Sequence, residues 1–368
     1  MKLFIWLLFL LAIYPYIVYP LVLKLISKLK KPSAFSKACT EEFFPKATLL
    51  ITAYNEEQFL EEKIQNSLEL DYPDLEIVVV SDGSIDQTNT ILLKYPEIKT
   101  LLLPKRQGKP TALKAGLELA TGDVIFFSDV SALYSKNSLK MLIKPLLDEK
   151  VGATGGILSL KKQNLAILGE VTYSDYETTL RALETQIFGT IVLPGTFYAL
   201  RRENIVLPPE NIIADDFYIT CSLLEKGLRL VQVDLAVAFE QASYDTSGEF
   251  VRKARIIAGG IQTLALFPRL FCSKWGFFMF SHKLLRWGSA LLLVLHYLLL
   301  LISGFYPWLL GLESILMLLG IIGIILDITG VKTPRFLALL RHFIVVNAAV
   351  IWGIMGLVSG RQTVKWQR

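Results

Sequence analysis

The sequence predicts an α/β domain with a mainly parallel sheet, accompanied by helices that are apolar enough for a membrane. Three observations carry this prediction: short apolar runs alternate with amphipathic stretches, long uncharged segments lie near both ends, and 53% of the residues are hydrophobic against 19% charged. Soluble domains average about 45–50% apolar and about 25% charged residues. The composition therefore excludes both a wholly disordered chain and a wholly soluble one.

The first uncharged segment, Leu3 to Leu23, is long enough to cross a hydrocarbon core as one helix. A cleaved signal peptide is the alternative, but it would have a shorter apolar core followed by a small-residue cleavage site. Four lysines follow here instead: Lys24, Lys28, Lys30 and Lys31. We therefore expect residues 1–30 to form a retained transmembrane helix with a basic collar on its cytoplasmic side.

Residues 39–273 alternate apolar runs with helical patterns. Thr48–Thr52 and Glu76–Ser81 are typical of buried parallel strands, and the amphipathic stretches Glu56–Leu70 and Asp86–Lys94 follow them. Val124–Phe127 is a third apolar run, and it ends near an acid. We expect one cytosolic catalytic domain here, with its ligands beyond the carboxyl ends of the strands.

Residues 274–368 are expected to hold an interfacial helix and the C-terminal membrane helices. The segment 277–287 places His282, Lys283 and Arg286 among aromatic residues and leucines, a pattern typical of a helix at the membrane interface. Apolar runs follow at 287–312, 315–326 and 342–360.

The positive-inside rule bears on the last of these runs. Three full crossings that start from the cytoplasm would place the basic tail, with Arg361, Lys365 and Arg368, outside. The last run also contains His342 and Asn347, which are costly against lipid. We therefore expect it to lie along the interface or to re-enter.

The net charge of +5 is unevenly distributed. Residues 1–38 carry six basic groups and no acid, residues 274–368 carry nine basic groups and two acids, and 23 basic and 31 acidic groups remain between them. The basic charge borders apolar segments, so we predict a membrane partner and no nucleic acid. The three cysteines, Cys39, Cys221 and Cys272, lack metal-ligand spacing and favour reduced thiols.

Polar side chains follow three successive predicted strands. The strand ends read Thr52-Ala53-Tyr54-Asn55-Glu56-Glu57, Ser81-Asp82-Gly83-Ser84 and Ser128-Asp129-Val130-Ser131-Ala132. An acid at such an edge can bind a ribose or a base edge, or it can hold a divalent metal that neutralises a diphosphate. These residues are the first candidates for a site.

Two further charged groups follow along the chain. Asp215 and Asp216 precede an apolar helical pattern, where one of them can serve as a general base. Arg252 and Arg255 can clamp a phosphate or a carboxylate. Each motif taken singly favours a structural interpretation, as a turn, a helix N-cap or a basic cluster near the membrane. The order and spacing of these motifs, taken together, favour a functional site.

Six strings stand in a recognisable order: TAYNEE, VVVSDGSIDQT, GKPTALKAGLELATGDVIFFSDVSALY, GTFYALRR, ADDFYIT and EFVRKARIIAGGIQTL. From about Thr48 to the C-terminus, the sequence resembles membrane-bound family 2 glycosyltransferases of the inverting GT-A type. The resemblance implies transfer of a hexosyl or N-acetylhexosaminyl group from a nucleotide-diphospho-sugar, expected to be UDP-linked. The acceptor it implies is a hydroxyl of a membrane-associated or lipid-linked glycan.

The resemblance also implies donor-side residues. Ala53, Asn55, Glu56 and Asp82 match positions that hold the uridine and ribose of a UDP-sugar. Lys109, in the string GKPTAL, matches a donor-side residue near the nucleotide.

The resemblance also implies residues for metal binding and catalysis. Asp129 matches the first acid of the D-x-D motif, which implies that Mg²⁺ or Mn²⁺ binds there. Asp216 matches the catalytic base of the family's paired-acid motif, and Asp215 precedes it. Arg252 and Arg255 stand in place of the Q-x-x-R-W motif, which lies near the diphosphate and the acceptor.

Other positions match the acceptor side or depart from the family pattern. Tyr198, Arg201 and Arg202 match the acceptor side, although a buried strand with a solvated basic pair explains them equally well. Ser131 replaces the second acid of D-x-D, which leaves the metal one fewer protein carboxylate, and Ile256 replaces the tryptophan of Q-x-x-R-W.

The sequence thus predicts an integral membrane glycosyltransferase with a cytoplasmic catalytic domain, of the kind found in bacterial inner membranes. Two alternatives remain open. A processive polysaccharide synthase that exports its product is one, although the missing tryptophan and the few C-terminal helices weigh against it. A catalytically silent membrane scaffold is the other, favoured by Ser131 and disfavoured by the joint presence of Asp82, Asp129 and Asp216.

Overall fold

The computed structural model describes residues 1–29, 43–161, 168–241, 246–331 and 333–360. The chain divides into two compact units. The first comprises Met1–Leu29, Lys162–Leu180 and Ala242–Gln362, and the second comprises Lys30–Lys161, Arg181–Gln241 and Thr363–Arg368. Parts of the predicted catalytic segment 39–273 thus group with the apolar ends of the chain, and the predicted domain boundaries stay a prediction. Cys39, Lys30, Lys31 and the basic tail lie outside the described residues.

The second unit contains one sheet. Its strands are β1 (Ala47–Ala53), β2 (Leu75–Ser81), β3 (Lys99–Leu102), β4 (Val124–Asp129), β5 (Ala132–Tyr134), β6 (Val151–Lys161), β7 (Phe197–Arg201) and β8 (Arg229–Gln241). Their spatial order is β3-β2-β1-β4-β7-β6-β8-β5. Four of the seven pairings are parallel (β1 with β2 and β4, β2 with β3, β6 with β8), which confirms the mainly parallel sheet.

Thirteen α-helices lie in the described parts of the chain. They are α1 (Lys2–Ile13), α2 (Val18–Leu29), α3 (Leu60–Leu68), α4 (Thr88–Leu92), α5 (Lys109–Leu119), α6 (Ser138–Leu146), α7 (Leu168–Ile187), α8 (Asp215–Glu225), α9 (Thr246–Leu266), α10 (Gly276–Phe278), α11 (Leu285–Ser303), α12 (Pro307–Ile328) and α13 (Arg335–Val358). Short 3-10 turns occur at Arg202–Asn204 and Pro268–Cys272, and a π-helical turn, Met279–Leu284, joins α10 to α11.

The core of the second unit explains why its parallel strands are nearly continuous apolar runs. Leu49 and Ile51 of β1, Val79 of β2 and Phe126 of β4 are buried in one cluster with residues of α3 and α6. Parallel strands that are covered by helices on both faces need apolar side chains at every position.

The register of the sheet fixes where the candidate site lies. Ala53 of β1 stands opposite Ser81 of β2, and Thr52 stands opposite Asp129 of β4. Because the three strands run parallel, the polar segments that follow them leave at the same edge, as the sequence predicts.

The N-terminal segment of the first unit differs from the prediction of one continuous helix. It forms α1 and α2, bent by 58° at a break of four residues, 14–17. Pro15 lies in this break, where its ring removes a backbone donor and clashes with the preceding turn.

Within the described residues, three helices are long and apolar enough to cross a membrane: Gly276–Ser303, Pro307–Ile328 and Arg335–Val358. The bent pair α1 and α2 adds a fourth if it is counted as one span. The last helix, which we expected to lie along the interface or re-enter, meets the same criteria of length and composition as the other two. Its placement stays a prediction.

Polar residues of these helices are paired inside the first unit. His282 and Arg286, expected on an interfacial helix, are buried beside Glu177 of α7, with His282 Nε2 3.2 Å from a Glu177 carboxylate oxygen. Arg341 of α13 pairs with Asp327 of α12. The charge or hydrogen-bonding capacity of His282 and Arg286 is therefore used within the protein, and the interfacial placement of this helix stays a prediction.

Candidate active site

The segments that follow β1 and β2 are joined by hydrogen bonds. The Asn55 N–H donates to Ser84 Oγ at 3.1 Å, and Asn55 Oδ1 accepts from the Ile85 N–H at 3.0 Å. The Glu56 N–H donates to Thr88 Oγ1 at 2.8 Å. Asn55 has a φ of 53°, a left-handed conformation that asparagine tolerates better than most residues. The structure therefore brings Asn55 and Glu56 together with the segment that contains Asp82.

Asp82 fixes the start of helix α5. One oxygen of its carboxylate accepts the Gln107 N–H at 2.7 Å, and the other accepts the Gly108 N–H at 2.8 Å. Gly108 has a φ of 106°, a conformation that favours glycine, and Lys109 follows as the first residue of the helix. Asp82 thus holds the backbone from which the Lys109 side chain extends.

Lys109 connects Asp129, at the end of β4, with Asp215, at the start of α8. Its Nζ lies 2.8 Å from Asp129 Oδ1 and 3.9 Å from Asp215 Oδ2. The three side chains are largely buried, with 11–13% of their surface exposed. Burial alone would lower the pKa of Lys109, but the carboxylates of Asp129 and Asp215 hold it above its usual range.

Asp216 lies beside this cluster at the start of α8. Its Oδ1 accepts the N–H of Phe217 at 2.8 Å. Burial, followed by the neighbouring Asp215 carboxylate, raises the pKa of Asp216 to about 6, against a smaller opposing effect of Lys109. A carboxylate with a pKa close to neutral can accept a proton from a reacting hydroxyl more readily than an ordinary aspartate.

Gly195 leaves the space that Asp216 occupies. A Cβ at Gly195 would lie 2.1 Å from Asp216 Oδ2 and 2.7 Å from its Cγ. Sequence reasoning missed Gly195, although it opens the string GTFYALRR. The glycine is needed here for close approach rather than for an unusual backbone conformation, and a single sequence does not reveal that.

The implied Mg²⁺ or Mn²⁺ fits the donor chemistry of this edge. Carboxylate oxygens are preferred ligands of such hard cations. Asp129 ends β4, and Asp215 Oδ2 is buried without a hydrogen-bond partner. In the part of the chain that the structure describes, no three His, Cys, Asp or Glu residues form a group that could hold a metal. A metal on Asp129 therefore depends on further ligands, such as diphosphate oxygens.

A second carboxylate lies close to the position where D-x-D has its second acid. The hydroxyl of Ser131 donates to Glu240 Oε1 at 2.8 Å, and Glu240 is buried opposite Ala132 in the pairing of β5 with β8. Sequence reasoning missed Glu240, which is 109 residues away from Ser131.

Restoring the second acid by Ser131→Asp is expected to lower the melting temperature in the presence of a metal chelator. The new carboxylate would face the buried Glu240 carboxylate, and like charges in such a place are unfavourable. Ser131→Asn, with the same shape and no charge, is the matched control. The double variant Ser131→Asp/Glu240→Gln should regain most of the loss, and an equal loss in the double variant would contradict this explanation.

Lys63 is a second buried charge that sequence reasoning missed. It lies fully buried in α3, donates to the Ala132 carbonyl oxygen, and places Nζ 3.9 Å from the centre of the Tyr134 ring. Asn66, one turn along α3, accepts the Tyr134 N–H at 2.8 Å and donates to its carbonyl at 2.9 Å. Together, Lys63 and Asn66 fix β5, the strand that directly follows Asp129-Val130-Ser131. A lysine on the apolar face of an amphipathic helix was the available signal.

Burial lowers the pKa of Lys63 to about 7, with a partial opposing effect from Asp129. The unfolded chain holds the Lys63 proton up to its ordinary pKa of 10.5, whereas the folded protein releases it near 7. Stability therefore rises with pH across this window as far as this group is concerned. We expect the difference in melting temperature between wild type and Lys63→Met to grow in favour of wild type from pH 7 to pH 10. A melting-temperature difference that stays constant with pH would contradict the lowered pKa of Lys63. Lys94→Met, which changes an exposed lysine, is the control.

The residues matched to the acceptor side make contacts within the second unit. The Arg201 guanidinium donates to the carbonyls of Glu149 and Val151 at 3.0 Å, and that of Arg202 donates to the Leu117 carbonyl at 2.8 Å. The buried Tyr198 ring stacks on Phe127, with 4.7 Å between ring centres. These contacts tie neighbouring segments together and favour the structural alternative, while an acceptor role for the three residues stays a prediction.

Arg252 and Arg255 belong to α9 of the first unit, whereas Asp129, Asp215 and Asp216 belong to the second. Arg252 forms an ion pair with Glu170 of α7. Burial, with the nearby charge of Arg255, lowers the pKa of Arg252 to about 10. The ion pair engages Arg252 within its own unit.

The fold is that of the GT-A glycosyltransferases. The structure of a mannosyltransferase from Pyrobaculum calidifontis in complex with GDP-Man and Mn²⁺ superposes with a TM-score of 0.72 at 22% sequence identity, covering 96% of this chain and 100% of that one. Residues 48–205 match the model of the family described as Glycosyl transferase family 2. Residues 48–205 therefore form a family 2 glycosyltransferase domain.

Curated relatives match part of the chain, among them one from Staphylococcus aureus and one from Bacillus subtilis. The poly-beta-1,6-N-acetyl-D-glucosamine synthase of Staphylococcus aureus is 24% identical over 227 residues, which are 59% of this chain and 55% of that protein. The probable glycosyltransferase YdaM of Bacillus subtilis is 28% identical over 213 residues, 54% of this chain and 51% of that protein. The chain spans about half the length of these curated relatives.

Proposed function

We propose that this glycosyltransferase transfers a sugar, with inversion, from a nucleotide-diphospho-sugar to a hydroxyl of a membrane-associated or lipid-linked glycan. The observation that carries the proposal is the cluster of Asp129, Lys109 and Asp215 at one edge of the sheet, with Asp216 beside it. Asp129 supplies a carboxylate of the kind that binds metal ions, Lys109 supplies a positive charge, and Asp216 supplies a base whose pKa suits proton transfer. The candidate membrane helices support a membrane-delivered acceptor.

In the proposed reaction, Asp216 takes the proton of the acceptor hydroxyl. The hydroxyl oxygen attacks the anomeric carbon as the bond from that carbon to the diphosphate breaks on the opposite face. The diphosphate leaves with the bonding electron pair, and the configuration inverts without a covalent enzyme intermediate. Asp215 supports this step because its charge helps to raise the pKa of Asp216.

The reaction also requires that the negative charge on the leaving diphosphate is neutralised. Mg²⁺ or Mn²⁺ would be held by Asp129, and when bound it neutralises negative charge on the diphosphate. Lys109 adds a positive charge next to that carboxylate. Arg255 and Arg252 stay proposed for the diphosphate and the acceptor on the resemblance alone.

A UDP-linked donor is the finer part of the proposal, with Ala53, Asn55, Glu56 and Asp82 on the nucleoside side. The polar segments after β1 and β2 support it because they are already ordered by hydrogen bonds to each other. The similar mannosyltransferase binds GDP-Man, so the base needs a direct test.

A donor panel tests the function. Membranes that contain the full chain would be supplied with UDP-sugars and GDP-sugars, with and without Mg²⁺ or Mn²⁺, and nucleotide diphosphate release would be measured. We expect metal-dependent release of UDP. Release from GDP-sugars alone would overturn the UDP assignment, and no release from any donor would favour the catalytically silent scaffold.

The processive synthase is the second candidate, because one relative is named as a synthase of poly-beta-1,6-N-acetyl-D-glucosamine. The isoleucine at 256, in place of the family's tryptophan, weighs against it because an aromatic side chain can stack on a growing glycan. A ladder of products from one acceptor would favour the synthase, whereas a single added sugar supports the transferase.

We further propose that the second unit lies in the cytoplasm of a bacterial cell, with the enzyme in the inner membrane. The lysines that follow the first apolar segment support this orientation.

A further inference from the structure

Lys109 binds the same carboxylate that the proposed function assigns to the metal. Its ammonium lies 2.8 Å from Asp129 Oδ1, within direct hydrogen-bond distance. A divalent cation on Asp129 would bring two further positive charges next to this ammonium in a largely buried place. The lysine and the metal therefore compete for Asp129.

A second carboxylate is ready to receive the displaced ammonium. Asp215 Oδ2 lies 3.9 Å from Lys109 Nζ, and it is buried without a hydrogen-bond partner. A buried carboxylate oxygen that makes no hydrogen bond is unfavourable, so a shift of the ammonium toward Asp215 would satisfy it.

Only the side chain of Lys109 needs to move. Its backbone is held at the start of α5 by Pro110 in the first turn and by the contacts of Asp82 with Gln107 and Gly108. A lysine carries its charge on a flexible four-carbon stem, which permits such a shift without movement of the helix.

We propose that Lys109 is a displaceable counter-ion: it occupies Asp129 in the free enzyme and leaves this carboxylate when the metal and the donor bind. The inference deepens the proposed function, because it takes Asp129 as the metal carboxylate. Metal binding then includes the cost of breaking an ion pair. Metal alone binds weakly, and it binds better when the donor diphosphate is present, because the diphosphate supplies further oxygen ligands while the ammonium rests on Asp215.

Manganese binding without nucleotide tests the inference. The purified full-length protein in detergent would be titrated with Mn²⁺, and free Mn²⁺ would be followed by electron paramagnetic resonance. We expect Lys109→Met to bind Mn²⁺ about tenfold more tightly than wild type, since its competitor is gone. If Lys109 only contacts the donor, Mn²⁺ affinity without nucleotide should not change.

Matched variants separate the possible explanations. Lys109→Arg keeps the charge and should stay close to wild type, and Lys114→Met removes an exposed charge from the same helix and should also leave Mn²⁺ affinity unchanged. An equal gain in Lys114→Met would overturn the inference in favour of a general charge effect. Lys109→Gln provides a second neutral variant if the methionine variant does not fold.

Asp129→Asn distinguishes failure of the inference from failure of the metal assignment. If Asp129→Asn weakens Mn²⁺ binding while Lys109→Met and Lys109→Gln match wild type, the counter-ion inference is wrong and the metal site stands. If Asp129→Asn binds Mn²⁺ as wild type does both without nucleotide and in the presence of UDP, the metal assignment itself is wrong, and the inference fails with it.

Discussion

Asp216→Asn is expected to lower turnover by about 10²–10⁴-fold with donor and acceptor both saturating, because the proposed general base is lost. An asparagine has nearly the same shape and leaves the start of α8 in place. Donor binding should therefore change far less than turnover. Asp123→Asn, at an exposed site just before β4, is the matched control and should keep wild-type turnover. An Asp216→Asn enzyme that retains most of its turnover would remove Asp216 from the mechanism.

The pH profile gives a second measurement on the same residue. Since the pKa of Asp216 is raised to about 6, kcat/KM should rise as pH increases through this value, because only the ionised form accepts a proton. Asp215 contributes to the raised pKa, so Asp215→Asn should move this limb to lower pH. A limb that stays in place would show that another group controls it.

The same raised pKa has a consequence for stability. Between the ordinary value of 3.8 and about 6, the folded protein holds a proton on Asp216 that the unfolded chain has released. As far as this group is concerned, stability is greatest below that window and falls as pH rises through it.

Gly195→Ala is the second change with a large expected effect. The added methyl group would lie 2.1 Å from Asp216 Oδ2, so the carboxylate must move, while the backbone of Gly195 already has a φ that alanine can adopt. Displacement of a catalytic group by about 1 Å costs on the order of 10²-fold in rate. We expect a loss of about this size in turnover, with a melting temperature close to that of wild type.

A double-mutant cycle tests whether Gly195→Ala acts through Asp216. Once Asp216 is replaced by asparagine, the added methyl group has no general base to displace. The Gly195→Ala change should then cost little further turnover. Equal losses in the two backgrounds would show that Gly195 matters for another reason.

The sheet and the strand-end acids were predictable because each follows from local patterns. Buried parallel strands are apolar at every position, and the parallel order brings Asp82 and Asp129 to one edge. The position of Lys63 on the apolar face of α3 was a local signal, but its partner Ala132 and the contact of Glu240 with Ser131 lie far along the chain, where no local pattern reports them.

Backbone interactions account for the other differences from prediction. Arg201 and Arg202 match an acceptor motif by type, but their guanidinium groups bind carbonyls of neighbouring segments. The bend between α1 and α2 occurs at Pro15, which is visible in the apolar run of the sequence.

The attachment of Asp82 to the start of α5 bears on attempts to engineer this enzyme for another nucleotide. A designer who alters Asp82 to change the preferred base would also release the amides of Gln107 and Gly108. The backbone contacts that position Lys109 would then be lost. Successful redesign would therefore keep Asp82 and change neighbouring side chains that make no hydrogen bonds to the backbone of α5.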